Sequence, residues 1–167
     1  MFKEGNSFLC TTLSPALPYA LFDRSVSCAS EVEQFNGNMV FEGIIANAKA
    51  ALEQGVPVAL GNDVGCPWIT QYDFWRELRY FEKYVGVSRS FALHTATLRN
   101  AQLAGIDDIT GSIEVGKEAD MIVTTGNPLE DLRALRTVKH VIHRGHLIVN
   151  PRVKRKVEVD RELDKFL

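Results

Sequence analysis

The sequence lacks the features that mark disulfide-rich, membrane-spanning and nucleic-acid-binding proteins. It has three cysteines and no Cys-x-x-Cys pair, so we expect neither a disulfide framework nor a zinc knuckle, and a reducing cytoplasm is the expected compartment. Its apolar runs are only as long as strands, and the N-terminus shows no signal-peptide pattern, so no membrane association is predicted. With a net charge of −2, the chain has no positive field for phosphates, and nucleic acid is not an expected partner.

The composition is that of an ordinary globular protein. Of the 167 residues, 46% are hydrophobic and 24% are charged. These proportions allow a buried core and fit one domain or parts of two.

The first hundred residues predict a strand, a helix and a second strand. Residues 7–13 resemble a short buried strand that a Pro-containing loop follows, and residues 41–52 have apolar side chains at helical spacing before Gly55. Residues 56–60 are apolar at consecutive positions, as in a parallel strand that helices cover on both faces. A helix over 74–85 follows, and its aromatic stripe is predicted to pack in the core.

The remaining residues change character after Gly105. Two short helical stretches, 88–96 and 97–105, precede β-type segments around Ile113 and Val115 and at 121–125. Residues 138–150 predict a hairpin that turns at 144–145. The charged tail, 151–167, is most simply a solvated strand and helix end.

The stretch GVPVALGNDVG, residues 55–65, places Asp63 between two glycines after an apolar run. In a barrel of parallel strands, a carboxylate at this end would face the active site. Asp63 could equally cap the next segment or form a turn, and the residue alone favours that simpler interpretation.

Other catalytic patterns receive little support. His140, His143 and His146 have a spacing that could bind a metal on a helix, but their β-branched neighbours favour a strand. On a strand, His140 and His143 point to opposite faces, so we expect hairpin histidines that face solvent instead of a metal site. No serine or cysteine lies in a nucleophile elbow, and GNDVG lacks the lysine of a phosphate loop.

Residues 105–131, GIDDITGSIEVGKEADMIVTTGNPLED, resemble the C-terminal signature of the metal-dependent amidohydrolase superfamily, in its imidazolonepropionase-like and prolidase-like branch. GVPVALGNDVG is similar to that family's eighth barrel strand, and SFLCTTL is similar to its seventh. The resemblance extends from about Phe8 to Asn150. It implies an α/β fold, with strands seven and eight of a (β/α)8 barrel over 1–104, part of a β-sandwich over 105–150, and the charged tail over 151–167.

The resemblance also implies a chemistry. It implies hydrolysis of C–N bonds in amides, cyclic amides or acylated amino acids, through a water that one or two divalent metals activate, and zinc is the metal expected in the complete enzyme. Asp63 would be the catalytic residue and a metal ligand, and would accept the proton of the water. Cys66, Trp68 and Tyr72 are candidates for the substrate pocket, although they could equally pack the loop down.

The family's other metal ligands have no counterpart in this sequence. They are histidines and a lysine or glutamate on earlier strands, whereas all four histidines here follow Asp63. A catalytic zinc needs about three protein ligands, so we expect the chain alone to hold no complete metal site and to be inactive. The expected partners are a small-molecule substrate in the complete enzyme and either the missing barrel half or further copies of the chain. Two alternatives stay open: a non-catalytic scaffold, and one half of a split enzyme.

Overall fold

The computed structural model describes residues 4–5 and 7–167. The chain has a mixed α/β architecture with two small sheets and seven α-helices among these residues. The strands are β1 (Leu9–Thr11), β2 (Val58–Leu60), β3 (Met121–Thr124), β4 (Val138–His143) and β5 (His146–Val149). The helices are α1 (Ala16–Leu21), α2 (Arg24–Ser27), α3 (Glu31–Glu53), α4 (Phe74–Tyr80), α5 (Arg89–His94), α6 (Asn100–Ala104) and α7 (Val157–Asp164).

Strands β1 and β2 form the predicted parallel pair, with Cys10 opposite Ala59. Helix α3 connects them and packs against both. All three residues of β2 are buried, which agrees with the consecutive apolar positions in the sequence. The strand–helix–strand prediction is therefore confirmed.

Helix α3 begins ten residues earlier than the sequence periodicity predicts. Ser30 and Glu33 form a reciprocal capping box: the Ser30 hydroxyl accepts from the Glu33 amide, and the Glu33 carboxylate accepts from the Ser30 amide. The first turns of the helix carry exposed apolar residues, which hid its amphipathic pattern. The helix ends as predicted: Gly55 has a φ of 70°, and Gly55 N–H and Val56 N–H donate to the carbonyls of Leu52 and Ala51.

Helix α1 forms where the sequence predicted a Pro-containing loop. Pro15 and Pro18 fall before and within its first turn, where a missing N–H group costs no hydrogen bond. Leu17 is fully buried, so burial of the apolar side chains favours the helix. The loop prediction was wrong.

The predicted helix over 74–85 is confirmed, with α4 continuing as a π-helical turn over Phe81–Val85. Leu78, Phe81 and Val85 are buried in the main core. The next two predicted helices are one continuous helical segment, because a π-helical turn over Thr95–Arg99 joins α5 to α6.

Strands β3, β4 and β5 form an antiparallel sheet in chain order. The predicted hairpin turn lies at Arg144 and Gly145, which have φ angles of 49° and 79°, as a two-residue turn with two positive φ angles requires. Ile113 and Val115, by contrast, are not in a strand and are almost fully exposed, so the prediction of β structure there was wrong.

The C-terminal tail is not fully solvated as expected. Leu163 of helix α7 is buried with the main core, and Asp160 is also buried. The charges of α7 lie on both faces, and Asp160 and Asp164 turn inward to buried arginine Arg76. The charge-rich sequence therefore hid an amphipathic helix.

Candidate functional site

The candidate site lies just beyond the carboxyl end of β2. The Gly61 amide donates to the carbonyl of Thr11 at 3.0 Å, which carries the pairing of the two strands one residue further. A Cβ atom on Gly61 would lie 3.1 Å from Thr12 Oγ1 and 3.2 Å from Cys10 Sγ. The ends of both strands therefore converge where the chain leaves the sheet for Asp63.

Asp63 lies three residues after β2, and its side chain is exposed. Its φ is 51°, a left-handed conformation that aspartate tolerates better than most residues. The Asp63 carbonyl accepts from the Cys66 amide at 3.2 Å, so the residue begins a tight turn and is not a helix cap.

Cys66 contacts the Asp63 carboxylate. Its thiol donates to Asp63 Oδ2 at 3.0 Å. This hydrogen bond, with the nearby negative charge, raises the pKa of the Cys66 thiol. Of the three residues that the sequence suggested for the substrate pocket, Cys66 is therefore hydrogen-bonded to the candidate catalytic residue Asp63.

Trp68 and Tyr72 make their contacts with other parts of the chain. The Trp68 ring packs edge-on against Phe22, with 5.0 Å between ring centroids. The Tyr72 hydroxyl accepts from the Lys156 amide at 2.6 Å, and the Arg155 guanidinium lies over its ring. Both aromatic side chains hold loop segments against the body of the protein.

The described residues do not form a complete metal site. Across residues 4–5 and 7–167, no group of three or more His, Cys, Asp or Glu side chains could hold a metal ion. His143 Nδ1 lies 2.9 Å from Asp120 Oδ1, and His143 pairs with His146 across the hairpin. His140 lies three residues from His143 on the same strand and so on its other face. Within the described part of the chain, Asp63 therefore belongs to no group of side chains that could complete a metal site.

Two residues that support the site were not identified from the sequence. Asn100 on α6 donates from Nδ2 to the Leu60 carbonyl and accepts at Oδ1 from the Leu60 amide, both at 2.9 Å. Glu77 on α4 is fully buried and accepts from the amides of Leu13 and Ser14 at 2.6 and 2.8 Å. An acidic residue on the apolar face of a helix was the available signal for Glu77.

Burial dominates the electrostatics of Glu77. It raises the pKa of this carboxyl to about 7, although the amides of Leu13 and Ser14 and the Ser14 hydroxyl favour the ionised form. Glu77 is the acceptor for the chain segment that leads from β1 into α1. Glu77 therefore holds the residues that follow the carboxyl end of β1, and Asn100 holds the last residue of β2.

A cleft on the described part of the chain is not lined by Asp63. It has a volume of about 720 Å³ and is lined by α5, α6 and the segment leading into β3, including His94, Asn100 and Asp120.

The described residues contain no helix that is both long and apolar enough to cross a membrane.

Two curated relatives match about three-fifths of the chain. The guanine deaminase of Escherichia coli K12 is 32% identical over 103 residues, which are 58% of this chain and 23% of that protein. The imidazolonepropionase of Symbiobacterium thermophilum is 32% identical over 108 residues, which are 63% of this chain and 25% of that protein. The chain thus spans about a quarter of the length of these relatives.

Solved structures match almost the whole chain. A putative prolidase from Bifidobacterium longum is 41% identical with a TM-score of 0.92, over 95% of this chain and 39% of that one. A Xaa-Pro dipeptidase with methionine bound in its active site is 31% identical with a TM-score of 0.76, over 89% and 36%. The model of the amidohydrolase family matches residues 10–148. The chain therefore belongs to the amidohydrolase family, in the branch that its glycine-rich signature indicated.

Proposed function

We propose that this chain is the C-terminal part of an enzyme that hydrolyses C–N bonds, and that Asp63 is its catalytic carboxylate. The observation that carries the proposal is the position of Asp63. It is an exposed carboxylate just past the carboxyl end of a buried parallel strand, in a chain that belongs to a family of C–N hydrolases. An aspartate there can accept a proton from an attacking water and return it to the leaving nitrogen.

The proposed architecture extends the two-stranded parallel sheet into a barrel. In this proposal β1 and β2 are strands seven and eight of a (β/α)8 barrel over residues 1–104. Residues 105–150 are part of a β-sandwich, and residues 151–167 are a tail that docks on the barrel part through α7. The parallel pairing of β1 with β2 supports the first assignment, and the antiparallel sheet β3–β4–β5 supports the second. The preceding barrel half would come from a further segment or chain.

The complete enzyme would use a divalent metal, with zinc as the first candidate, and Asp63 would be one of its ligands. The family generally depends on such a metal, which makes a bound water more acidic. Because the described residues lack the other ligands, the metal would be bound only after the missing part of the site is supplied. We retain a cytoplasmic location in the proposal, on the basis of the cysteine usage.

The proposed substrates are small amides, and Xaa-Pro dipeptides and other N-acylated amino acids are the first class to test. The likeness to a putative prolidase and to a Xaa-Pro dipeptidase supports this class. Cyclic amides and amino-substituted rings form the second class, which the imidazolonepropionase and guanine deaminase likenesses support. Cys66, beside Asp63, and Trp68 and Tyr72, further along the same loop, remain the proposed pocket residues.

A chimera tests the proposal. This chain replaces the matched 39% of the Bifidobacterium longum protein, and the purified chimera is assayed for zinc content and for hydrolysis of both substrate classes. We expect hydrolysis by the chimera, its loss by at least a hundredfold in Asp63→Asn, and little change in the control Asp108→Asn, which alters an exposed aspartate. Unchanged activity in Asp63→Asn would contradict the catalytic role.

The same experiment separates the alternatives. A folded chimera that binds zinc but hydrolyses nothing, beside an active parent protein, would favour the non-catalytic scaffold. Co-purification of a second natural polypeptide that carries histidine ligands would favour the split enzyme.

A further inference from the structure

Helix α3 carries apolar side chains on two opposite faces. Gly37, Phe41 and Ala48 are buried on the face that packs against the rest of the chain. On the opposite side Val32, Phe35 and Met39 are 68%, 64% and 60% exposed. Their spacing of three and four residues aligns them in one ridge along the helix. Three large apolar side chains in a row on a solvated helix face form an exposed apolar patch of the kind that interaction surfaces have.

The same outer face continues toward the C-terminus of α3 with small residues. Gly43, Ala46 and Ala50 follow Met39 at helical spacing. A Cβ atom on Gly43 would meet nothing within 4 Å, so packing inside the chain does not require a glycine there. The outer face thus has a ridge of large side chains in its first half and a shallow trough in its second half.

The direction of this face separates it from the surfaces that a barrel half would cover. Helix α3 packs on β1 and β2 with its other side, whereas strands added to the sheet would lie beside these strands, in the plane of the sheet. One edge of the sheet is marked by Leu60, whose backbone groups point away from β1 and bind the Asn100 side chain. The ridge of α3 lies on the far side of the helix from that sheet.

We propose that the outer face of α3 is the interface with a second copy of this chain, with the two α3 helices antiparallel across a twofold axis near Phe41. In this arrangement Val32, Phe35 and Met39 of one copy rest on Ala50, Ala46 and Gly43 of the partner subunit. Each copy supplies both the ridge and the trough, which is the self-complementarity that a twofold interface requires. Antiparallel helices also place their dipoles in a favourable orientation.

The charges along α3 fit the same pairing. Lys49 is the one basic residue of this helix, and it lies on the same flank as Glu31, eighteen residues away. With the axis near Phe41, Glu31 of one copy lies within one helical turn of Lys49 of the partner subunit. A parallel pairing would instead keep Glu31 of one copy eighteen residues along the helix from Lys49 of the partner subunit, and this attraction would be lost.

Sedimentation equilibrium of the 167-residue chain tests the proposal. We expect a monomer–dimer equilibrium whose dissociation constant rises at least tenfold in Met39→Glu and in Gly43→Leu. The Gly43 variant is informative because its side chain enters open space in the single copy and blocks only the trough. Val115→Glu, at a fully exposed apolar residue outside α3, is the matched control and should leave the constant unchanged. Circular dichroism verifies that each variant is folded.

A charge exchange tests the orientation of the two helices. Lys49→Glu should weaken the dimer three- to tenfold, and the double variant Glu31→Lys/Lys49→Glu should restore it to within about threefold of the original. Glu31 also pairs with Arg24 at the surface, at 3.1 Å, so Lys49→Glu is the cleaner single change. A chain that stays monomeric at 100 µM, a dimer insensitive to Met39→Glu, or a double variant weaker than Lys49→Glu alone would each overturn the proposal.

Discussion

Asn100 holds Leu60 by both of its backbone groups: one side-chain amide donates to the carbonyl and accepts from the N–H, each at 2.9 Å. These bonds occupy the edge of β2 that faces away from β1. They therefore connect α6 to the strand that leads to Asp63. The carboxyl end of β2 is fixed in place by a side chain from forty residues later in the chain.

Asn100→Ala should lower the free energy of unfolding by about 2 kcal/mol, because it leaves two partly buried backbone groups without their partners. Urea unfolding followed by circular dichroism measures the change. Asn47→Ala, at an exposed position in α3, is the control and should change the stability by less than about 0.5 kcal/mol. Equal effects in both variants would show that the Asn100 bonds contribute little.

Two glycines of α3 should respond in opposite directions to alanine. A Cβ atom on Gly37 would lie 2.7 Å from Tyr19 Cβ, where α1 crosses the helix, whereas Gly43 has open space. Gly37→Ala should destabilise the chain by about 1–3 kcal/mol through overpacking. Gly43→Ala should stabilise it by about 0.5–1 kcal/mol through helix propensity. Urea unfolding at submicromolar concentration, below the proposed dimerisation, measures both. Stabilisation by Gly37→Ala would contradict the close crossing.

Arg76 is the centre of a buried ion cluster that holds α7 on the body of the protein. Its guanidinium lies 2.7 Å from Asp164 and 3.4 Å from Asp160, and only 1% of its side chain is exposed. Arg76→Ala should cost about 3–5 kcal/mol, because the buried Asp73 loses the arginine 3.3 Å away and Asp160 keeps only Arg155 and Arg136. Amide hydrogen exchange should also become faster in α7.

The control for Arg76 is Arg161→Ala, which removes an exposed arginine from α7 itself. Its effect should stay within about 0.5 kcal/mol. Unchanged exchange in α7 of Arg76→Ala would mean that Leu163, together with the pairs of Arg136 with Asp164 and of Arg155 with Asp160, holds the helix without Arg76.

Glu77 should make stability fall as the pH rises toward neutrality. Burial raises its pKa from 4.5 to about 7 in the folded protein, so between these values the folded state keeps a proton that the unfolded state releases. The stabilising contribution is fully present below about pH 4.5 and is lost as the pH rises through about 7. The free energy of unfolding of the wild type, minus that of Glu77→Gln, should therefore decrease by about 1–3 kcal/mol from pH 4.5 to pH 8.

Denaturant unfolding at a series of pH values gives this difference. Glu158→Gln, at an exposed position in α7, serves as the control and should show no such change over the same range. If the difference in the free energy of unfolding between the wild type and Glu77→Gln were constant with pH, the three hydrogen bonds to Glu77 would outweigh burial in setting its pKa.

The isolated chain should bind no stoichiometric zinc and hydrolyse no substrate of either proposed class, because a catalytic zinc needs about three protein ligands and the described residues hold no such group. Metal analysis of the purified chain and a single-turnover assay measure this. Stoichiometric zinc together with hydrolysis would contradict it and would require a metal site that the sequence pattern does not contain.

The family and the main supersecondary unit followed from the sequence alone. The consecutive apolar residues before Asp63 identified a doubly covered parallel strand, and the glycine-rich signature at 105–131 identified the family that the comparison confirmed. The hairpin turn at 144–145 was equally local, because a positive φ at two adjacent residues is a property of the turn itself.

Tertiary structure decided the features that depend on partners far along the chain. Helix α1 forms at a segment with two prolines because Leu17 is buried in the core there. The charged tail forms α7 because Leu163 is buried and Arg76, 84 residues before Asp160, pairs with the inward carboxylates of the helix. The same holds for Asn100 and Glu77, whose side chains pair with strand and loop backbone. Periodicity and turn chemistry are local and can be read from neighbouring residues, whereas burial and charge pairing depend on segments that only the fold brings together.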